Sequence, residues 1–377
     1  MNMRKWLAPL TLLTVAAQPL LAQDRQGFFL SATVQGYSFS QDFADEVGVK
    51  SASLVIVPLA YQLAASRTLS FDVYSAFARG DVKTGTETHT LQGFVDTRVR
   101  ATLSVAPWAS VTAALNLPTG KASHDQNEGV VAAALSTELL GFREALWGTG
   151  FGATTGIATA WKAGPSTGIG FGASYRLASE FEPSADTAFK YTPGNEVRLR
   201  FALDQNIGTS KLTLGATFQN YSDDQIDGRN LFAPGNRWRG DLAYSFRAGP
   251  TSTWTLFATD VWRENGDVSL QVVDPAGNPL RDSTFTAGQQ NMAVAGIAGG
   301  LRLANGFDLR PSADVRLLTR NSGDSEGWMA SIGTEVPMRR GSIDWVPSCR
   351  FSYGGLEGST DTRHGFIGGE VGLTVRF

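Results

Sequence analysis

The 377-residue chain is poor in the residues most reactive sites are built from: it has one cysteine, three histidines and five methionines, and only 18% of its residues are charged. A single Cys349 excludes an internal disulfide. By parity with Trp345 and Phe351 it reads as a small apolar filler on the outward face of a strand. With so few thiol and imidazole ligands, neither a metal nor a cofactor is expected. Past the N-terminal segment there is no run of about 18 apolar residues, so no transmembrane helix is available. Such a chain can cross a membrane only as a closed barrel. Lysine is also scarce. After residue 22 there are 24 Arg, 6 Lys and 35 acidic residues, a balance of 30 against 35 that gives no basic excess for a nucleic-acid partner.

What is present begins with Arg4 and Lys5, an apolar run from Trp6 to Ala17, Pro19 and the small Ala22. This is the pattern of a secretory signal peptide cleaved after Ala22, leaving residues 23–377 as the barrel. No cysteine stands at the cleavage point to carry a lipid anchor. At the other end, Ile367, Gly369, Val371, Leu373, Val375 and Phe377 alternate with Gly368, Glu370, Gly372, Thr374 and Arg376. A strand has a side-chain period of two, so this stretch has one apolar and one polar face. Its terminal aromatic resembles the closing strand of Gram-negative outer-membrane barrels. That likeness implies the cell outer membrane as location, recognition of this strand by the barrel-assembly machinery, and contact with outer-membrane lipid and lipopolysaccharide.

The same alternation recurs along the chain from Gly27, and the expected fold is all-β: an antiparallel up-and-down transmembrane barrel of about 16 strands, with 14 or 18 as the alternatives an even count allows. Short connections, such as Gly208–Ser210, alternate with long polar ones, such as Glu182–Asn195, Ser222–Asn236 and Glu264–Gln290, as in membrane barrels with short turns on one side. The stretch His89–Leu103 reads as one continuous strand with Leu91, Gly93, Val95, Thr97, Val99 and Ala101 outward. Between Pro118 and Leu146 the period changes. Val131, Leu135, Leu139, Phe142 and Leu146 recur in steps of three and four, which predicts a short amphipathic helix inside an extracellular loop. Aromatics at even separations, Trp147 with Trp161, Trp254 with Trp262, and Trp345 with Tyr353, predict two girdles bordering the apolar band, with Phe377 in one of them.

If apolar faces meet lipid, the opposite faces line the lumen. They carry Asp96, Arg98, Arg100, Glu196, Arg198, Arg200, Arg237, Arg239, Asp241, Asp308, Arg310, Asp314, Arg316, Asp344, Arg350, Glu370 and Arg376. Arginine pairs bidentately with carboxylates, so ion-pair ladders across the wall are expected. A local arginine excess would instead make an anion-tolerant path.

Catalytic strings carry little weight. Gly164-Pro165-Ser166-Thr167-Gly168 spells G-x-S-x-G but sits in a strand-to-strand turn, not a strand-to-helix elbow. Asp223, Asp224, Asp227 and Gly228 hint at a calcium loop, but Pro234 stands where an EF-hand needs its bidentate glutamate. Asp361 beside His364 is the nearest acid–imidazole pair. An enzyme is not expected.

Leu117-Pro118-Thr119-Gly120-Lys121 and Tyr191-Thr192-Pro193-Gly194-Asn195-Glu196 resemble motifs of outer-membrane channels in the FadL superfamily, nearest the branch tied to meta-pathway degradation of phenol. The resemblance implies passive uptake of small hydrophobic or aromatic solutes caught by apolar outer loops. Val131, Leu135, Leu139, Leu140, Phe142 and Leu146 are the candidate capture surface. Fatty-acid channels of this superfamily begin with a plug domain. Here about five residues separate Ala22 from the first strand, so plug movement is not carried over. A general porin-like or anion-tolerant pore, and an outer-membrane enzyme or scaffold with a closed lumen, remain the alternatives.

Overall fold

Strand-length runs of alternating residues, bounded by glycine- or proline-bearing turns, leave the chain one way to hide its backbone polar groups, which is to pair each run with the next until the sheet meets itself. The computed structural model describes residues 26–144, 146–273, 279–303, 307–320, 324–357 and 363–377. The expected signal peptide, 1–22, lies outside them. Sixteen strands form the barrel: β1 (Gly27–Phe39), β2 (Val49–Ala64), β3 (Leu69–Thr84), β4 (Glu87–Phe94 continued by Thr97–Ala106), β5 (Ala109–Leu117), β6 (Gly152–Lys162), β7 (Thr167–Ala178) and β8 (Glu196–Ile207). They continue as β9 (Ser210–Tyr221), β10 (Arg237–Arg247), β11 (Ser252–Arg263), β12 (Gln290–Arg302), β13 (Asp308–Arg320), β14 (Asp324–Glu335 continued by Met338–Arg340), β15 (Ile343–Glu357) and β16 (Arg363–Arg376).

Each strand pairs antiparallel with the next, and β16 returns to β1. Leu30 faces Val375, Gly36 faces Gly369, and the Phe377 amide donates to the Phe28 carbonyl at 3.1 Å. Closure removes both sheet edges, as the alternation in the last strand requires. The barrel and its strand number are as the sequence predicts.

The outward faces are apolar and exposed, with Val34, Phe201, Ile332 and Val371 among the larger side chains. Trp161, Trp254, Trp345 and Phe377 stand outward at strand ends on the short-turn rim, where the Phe377 ring lies 5.8 Å from Phe28. On the long-loop rim Trp262 and Tyr353 point outward, beside Trp238 packed on Phe218 (4.5 Å) and Trp328 packed on Tyr353 (5.6 Å). Trp147 is a correction. It precedes β6, is fully buried on the lumen side, and donates its indole N–H to the Ala78 carbonyl at 3.0 Å. An even separation from Trp161 carries no meaning when the intervening residues are not one strand.

The second correction concerns β4. Phe77 pairs with Phe94, but Tyr74 pairs with Arg98, so β4 holds one residue more than β3 between those points. This is a β-bulge at Val95 and Asp96. It switches the parity of the strand. Thr97, Val99 and Ala101 face out as expected, whereas Leu91 is buried on the inner face and Phe94 is exposed on the outer one.

The long polar connections are not featureless. Tyr191–Thr192, Asp224–Ile226, Arg229–Ala233, Gly266–Val273 and Pro279–Ala287 make a second, five-stranded sheet at the long-loop rim. Asp227 and Gly228, with φ of 49° and 76°, form the tight turn of its hairpin. That Asp-Gly pair is a type I′ turn signal, which accounts for the calcium-like string. Among the described residues two helices complete the fold: α1 (Gln41–Val47), between β1 and β2, and α2 (Gln126–Leu135), between β5 and β6.

Candidate functional site

The segment between β5 and β6, residues 118–151, departs most from expectation. It does not project from the rim; it folds into the barrel and crosses the lumen. Its start and end are both tied to the bulge of β4. The buried Asp96 carboxylate accepts from the Gly120 amide (3.0 Å), the Thr149 amide (2.7 Å) and the Asn116 side-chain amide (2.8 Å), and its own amide donates to the Trp147 carbonyl at 2.9 Å. A side chain on Gly120 would stand 1.9 Å from the Trp147 carbonyl oxygen, so only glycine fits this junction. Asp96 faces the lumen as expected, but as a staple for the segment.

The helix α2 starts with a capping box. The Asp125 carboxylate accepts from the Glu128 amide at 2.9 Å, and the Glu128 carboxylate accepts from the Asp125 amide at 3.2 Å. The helix lies on the inner faces of β2, β3 and β4. Val131 and Leu135 join Leu54, Ile56, Ala76, Ala78, Val82, Leu91, Val95 and Trp147 in one buried cluster. Gly80 makes room, since a Cβ there would sit 2.6 Å from Leu135 and 2.8 Å from Val131. Each large side chain so buried contributes roughly 1.5–3 kcal/mol relative to exposure, which favours docking over a projecting loop.

Past Ser136, which ends the helix, the chain crosses to the far wall. Leu139 and Leu140 are buried with Tyr37, Leu318, Met329 and Phe366. The Tyr37 hydroxyl donates to the Leu140 carbonyl at 2.8 Å, the Arg143 amide donates to Gln35 at 2.9 Å, and the Arg143 guanidinium pairs with Glu370. Between these anchors Glu138 accepts from Arg263 at 2.9 Å and lies 3.8 Å from Arg237.

The six residues of the expected capture surface therefore separate. Val131, Leu135, Leu139 and Leu140 are packed against the wall, Phe142 is half-buried beside Tyr37 with rings 5.3 Å apart, and Leu146 is exposed. A helical period says that residues share a face; it does not say whether that face meets solvent or the barrel's own interior.

The wall residues divide the lumen in two. Under the crossing segment, Arg350 pairs with Asp314, Arg316 lies 3.6 Å from the same carboxylate, and Arg310 reaches Glu335 at 3.6 Å. Toward the short-turn rim Arg302 pairs with Asp308 (2.9 Å), Arg339 lies 3.8 Å from Asp344, and Arg376 sits 6.0 Å over the Phe29 ring. On β3 and β4, Arg100 bonds Asp72 at 3.0 Å, while Arg98 faces inward beside the crossing segment's Glu144. Burial pushes the Glu144 carboxyl above its ordinary range, and the charge of Arg98 opposes that shift.

From β6 to β11 the inner face is different. Ala158 and Ala160 point inward yet are exposed, beside Gly168, Gly170 and Gly172 of β7. Above this smooth floor stand Arg176, Arg198, Arg200, Arg237, Arg239 and Arg263. Arg198 holds Glu196 (2.7 Å) and Arg239 holds Asp241 (2.8 Å). Arg200 faces Gly172 on one side and Thr217 on the other and makes no ion pair among the described residues. Side-chain exposures of 42% for Arg198 and 41% for Arg263, against 16% for Arg350 and 6% for Asp314, leave these arginines the more open to solvent.

The remaining candidates each have a partner among the described residues. His364 lies 2.7 Å from Glu46, and Asp361 is outside the described residues. His89 bonds Thr84 at 2.7 Å. Ser166 of the G-x-S-x-G string accepts from Gln205 at 3.1 Å. Asp224 accepts from the Tyr191 hydroxyl and the Gly194 amide, both at 2.6 Å, and burial with that acidic neighbour raises the Tyr191 pKa.

No family model matches the chain, and no curated protein matches it. Among solved structures it is similar to a bacterial polysaccharide outer membrane secretin, at 12% identity over 93% of this chain and 98% of that one, with a TM-score of 0.46. It is also similar to the outer membrane channel DcaP of Acinetobacter baumannii, at 12% identity over 93% and 96%, TM-score 0.41. A third is a loop L8 deletion mutant of OmpT, an outer membrane protein of Vibrio cholerae, at 11% identity over 93% and 99%, TM-score 0.41. At these identities the likeness is one of barrel architecture.

Proposed function

We propose that the chain is a pore in the outer membrane of a Gram-negative bacterium, through which small polar solutes, anions above all, pass along the β6–β11 half of the lumen. One observation carries this reading. In the outer band of β7–β11, six guanidiniums (Arg176, Arg198, Arg200, Arg237, Arg239 and Arg263) face three carboxylates (Glu196, Asp241 and Glu138) in a solvent-accessible space. An uncompensated positive wall at a constriction favours anions over cations. The apolar outer belt and closed sheet support the membrane location, and lipid and the barrel-assembly machinery are the partners that follow from it. Chemistry on the solute has no part in this reading.

Uptake of hydrophobic or aromatic solutes, as the FadL resemblance implies, has weaker support. Four of its six capture residues are buried between the crossing segment and the barrel wall, leaving Phe142 and Leu146 to meet a solute. Planar-bilayer recording of the purified protein tests the proposal. A steady conductance with a reversal potential on the anion side of a KCl gradient is the expected result. A silent protein would remove the pore, and a cation-selective one would remove the anion preference.

A further inference from the structure

The chain already carries a carboxylate where a solute's would bind. Glu138 lies in the turn between the buried Leu135 and Leu139, so its backbone is fixed while its side chain reaches the opposite wall. One of its oxygens meets two guanidiniums, Arg263 at 2.9 Å and Arg237 at 3.8 Å. Side-chain exposures of 26% for Glu138 and 30% for Arg237 leave the contact open to water. Two cations thus share one anion. Further in on β8, Arg200 pairs with no carboxylate among the described residues, and two residues of strand place it about 7 Å from Arg198.

On the pore reading, we infer that Arg237 and Arg263, with Arg200 beyond them, form a binding station for small carboxylates, and that Glu138 is its resident counter-ion, displaced by the solute. Guanidinium forks suit carboxylates by geometry as well as charge, which chloride does not exploit. An ion pair open to solvent contributes little, so Glu138 exchanges readily. A carboxylate arriving at the long-loop rim takes its place and moves inward to Arg200.

Succinate added to the bilayer in KCl tests this. It should block the chloride current in a saturable way. Glu138→Gln vacates the station and should lower the half-blocking concentration roughly threefold, the size expected for an exposed pair. Arg200→Gln should raise it by a similar factor, with unblocked conductance still present as proof of folding. A conducting pore that succinate does not block, or one whose half-blocking concentration is unmoved by both substitutions, overturns the station and leaves the pore standing. A silent wild-type protein overturns both.

Discussion

The two halves of the lumen are built on the same alternating strands and end as opposite materials. Under the crossing segment, the inner faces of β2 and β3 carry Ala52, Leu54, Ile56, Ala76, Ala78 and Val82, all buried to 2% exposure or less. Across the barrel the corresponding positions on β6 and β7 are Gly156, Ala158, Ala160, Gly170 and Gly172, partly or fully open to water apart from Gly156. Backbone geometry does not distinguish them. What differs is whether the inward residues are large and apolar enough to hold a second layer. Where they are, the barrel acquires a core, and the charges left there, such as Asp314 and Arg350, are paired and dry. Where they are not, the wall stays wet and its arginines keep their reach.

The contrast can be broken most directly at Trp147. Trp147→Ala removes a fully buried ring and the hydrogen bond to Ala78, and should cost about 3–5 kcal/mol in urea unfolding. The crossing segment should loosen, so conductance should rise and become noisy. An unchanged trace would show that the packed half does not depend on this anchor.

A smaller and sharper test compares Ala158→Cys with Ala78→Cys, each in a Cys349→Ser background. A charged, water-soluble maleimide should label the first and not the second, and the open-half substitution should change stability by no more than about 0.5 kcal/mol. Adding Trp147→Ala should make the cysteine at position 78 reactive. Equal labelling of both sites in the parent protein would erase the distinction.

The smallest expected effect is on pH. Burial holds the His124 pKa below its ordinary 6.5, with the acidic Glu128 partly offsetting it. A depressed histidine prefers to be neutral when folded, so its contribution is whole above pH 6.5 and is lost as pH falls through the lower folded value. Amide protection factors in residues 121–126, with the intrinsic exchange rate at each pH divided out, should fall on acidification through that window, and His124→Gln should flatten the change. A parent protein whose protection factors ignore pH there would rule the effect out.

The barrel was legible because its signal is periodic and long. Sixteen alternations and a closing strand left little freedom, and the lumen charges followed by parity. The crossing segment was not legible as such, since helical spacing at Val131 and Leu135 fits a projecting loop equally well. A clue was nevertheless present. From Leu54 to Ala60 the chain reads Leu-Val-Ile-Val-Pro-Leu-Ala, apolar on both faces, which a strand with one wet face has no use for. Something had to cover the inner side. Glu138, alone among the loop's acids in reaching Arg263, carried no sequence signal, because a contact between residues 125 positions apart depends on where the segment crosses.

The bulge in β4 works as a phase shifter. Its one added residue lets a single strand present Val99 outward below and Leu91 to the interior above, so the barrel wall changes its reading frame partway along. Pairing Val95 into the ladder instead would turn Leu91 outward and put Phe94 in the lumen, whereas deleting it would leave a regular strand with both on their present sides. In a protein whose architecture is parity, one residue outside the count decides which side is in.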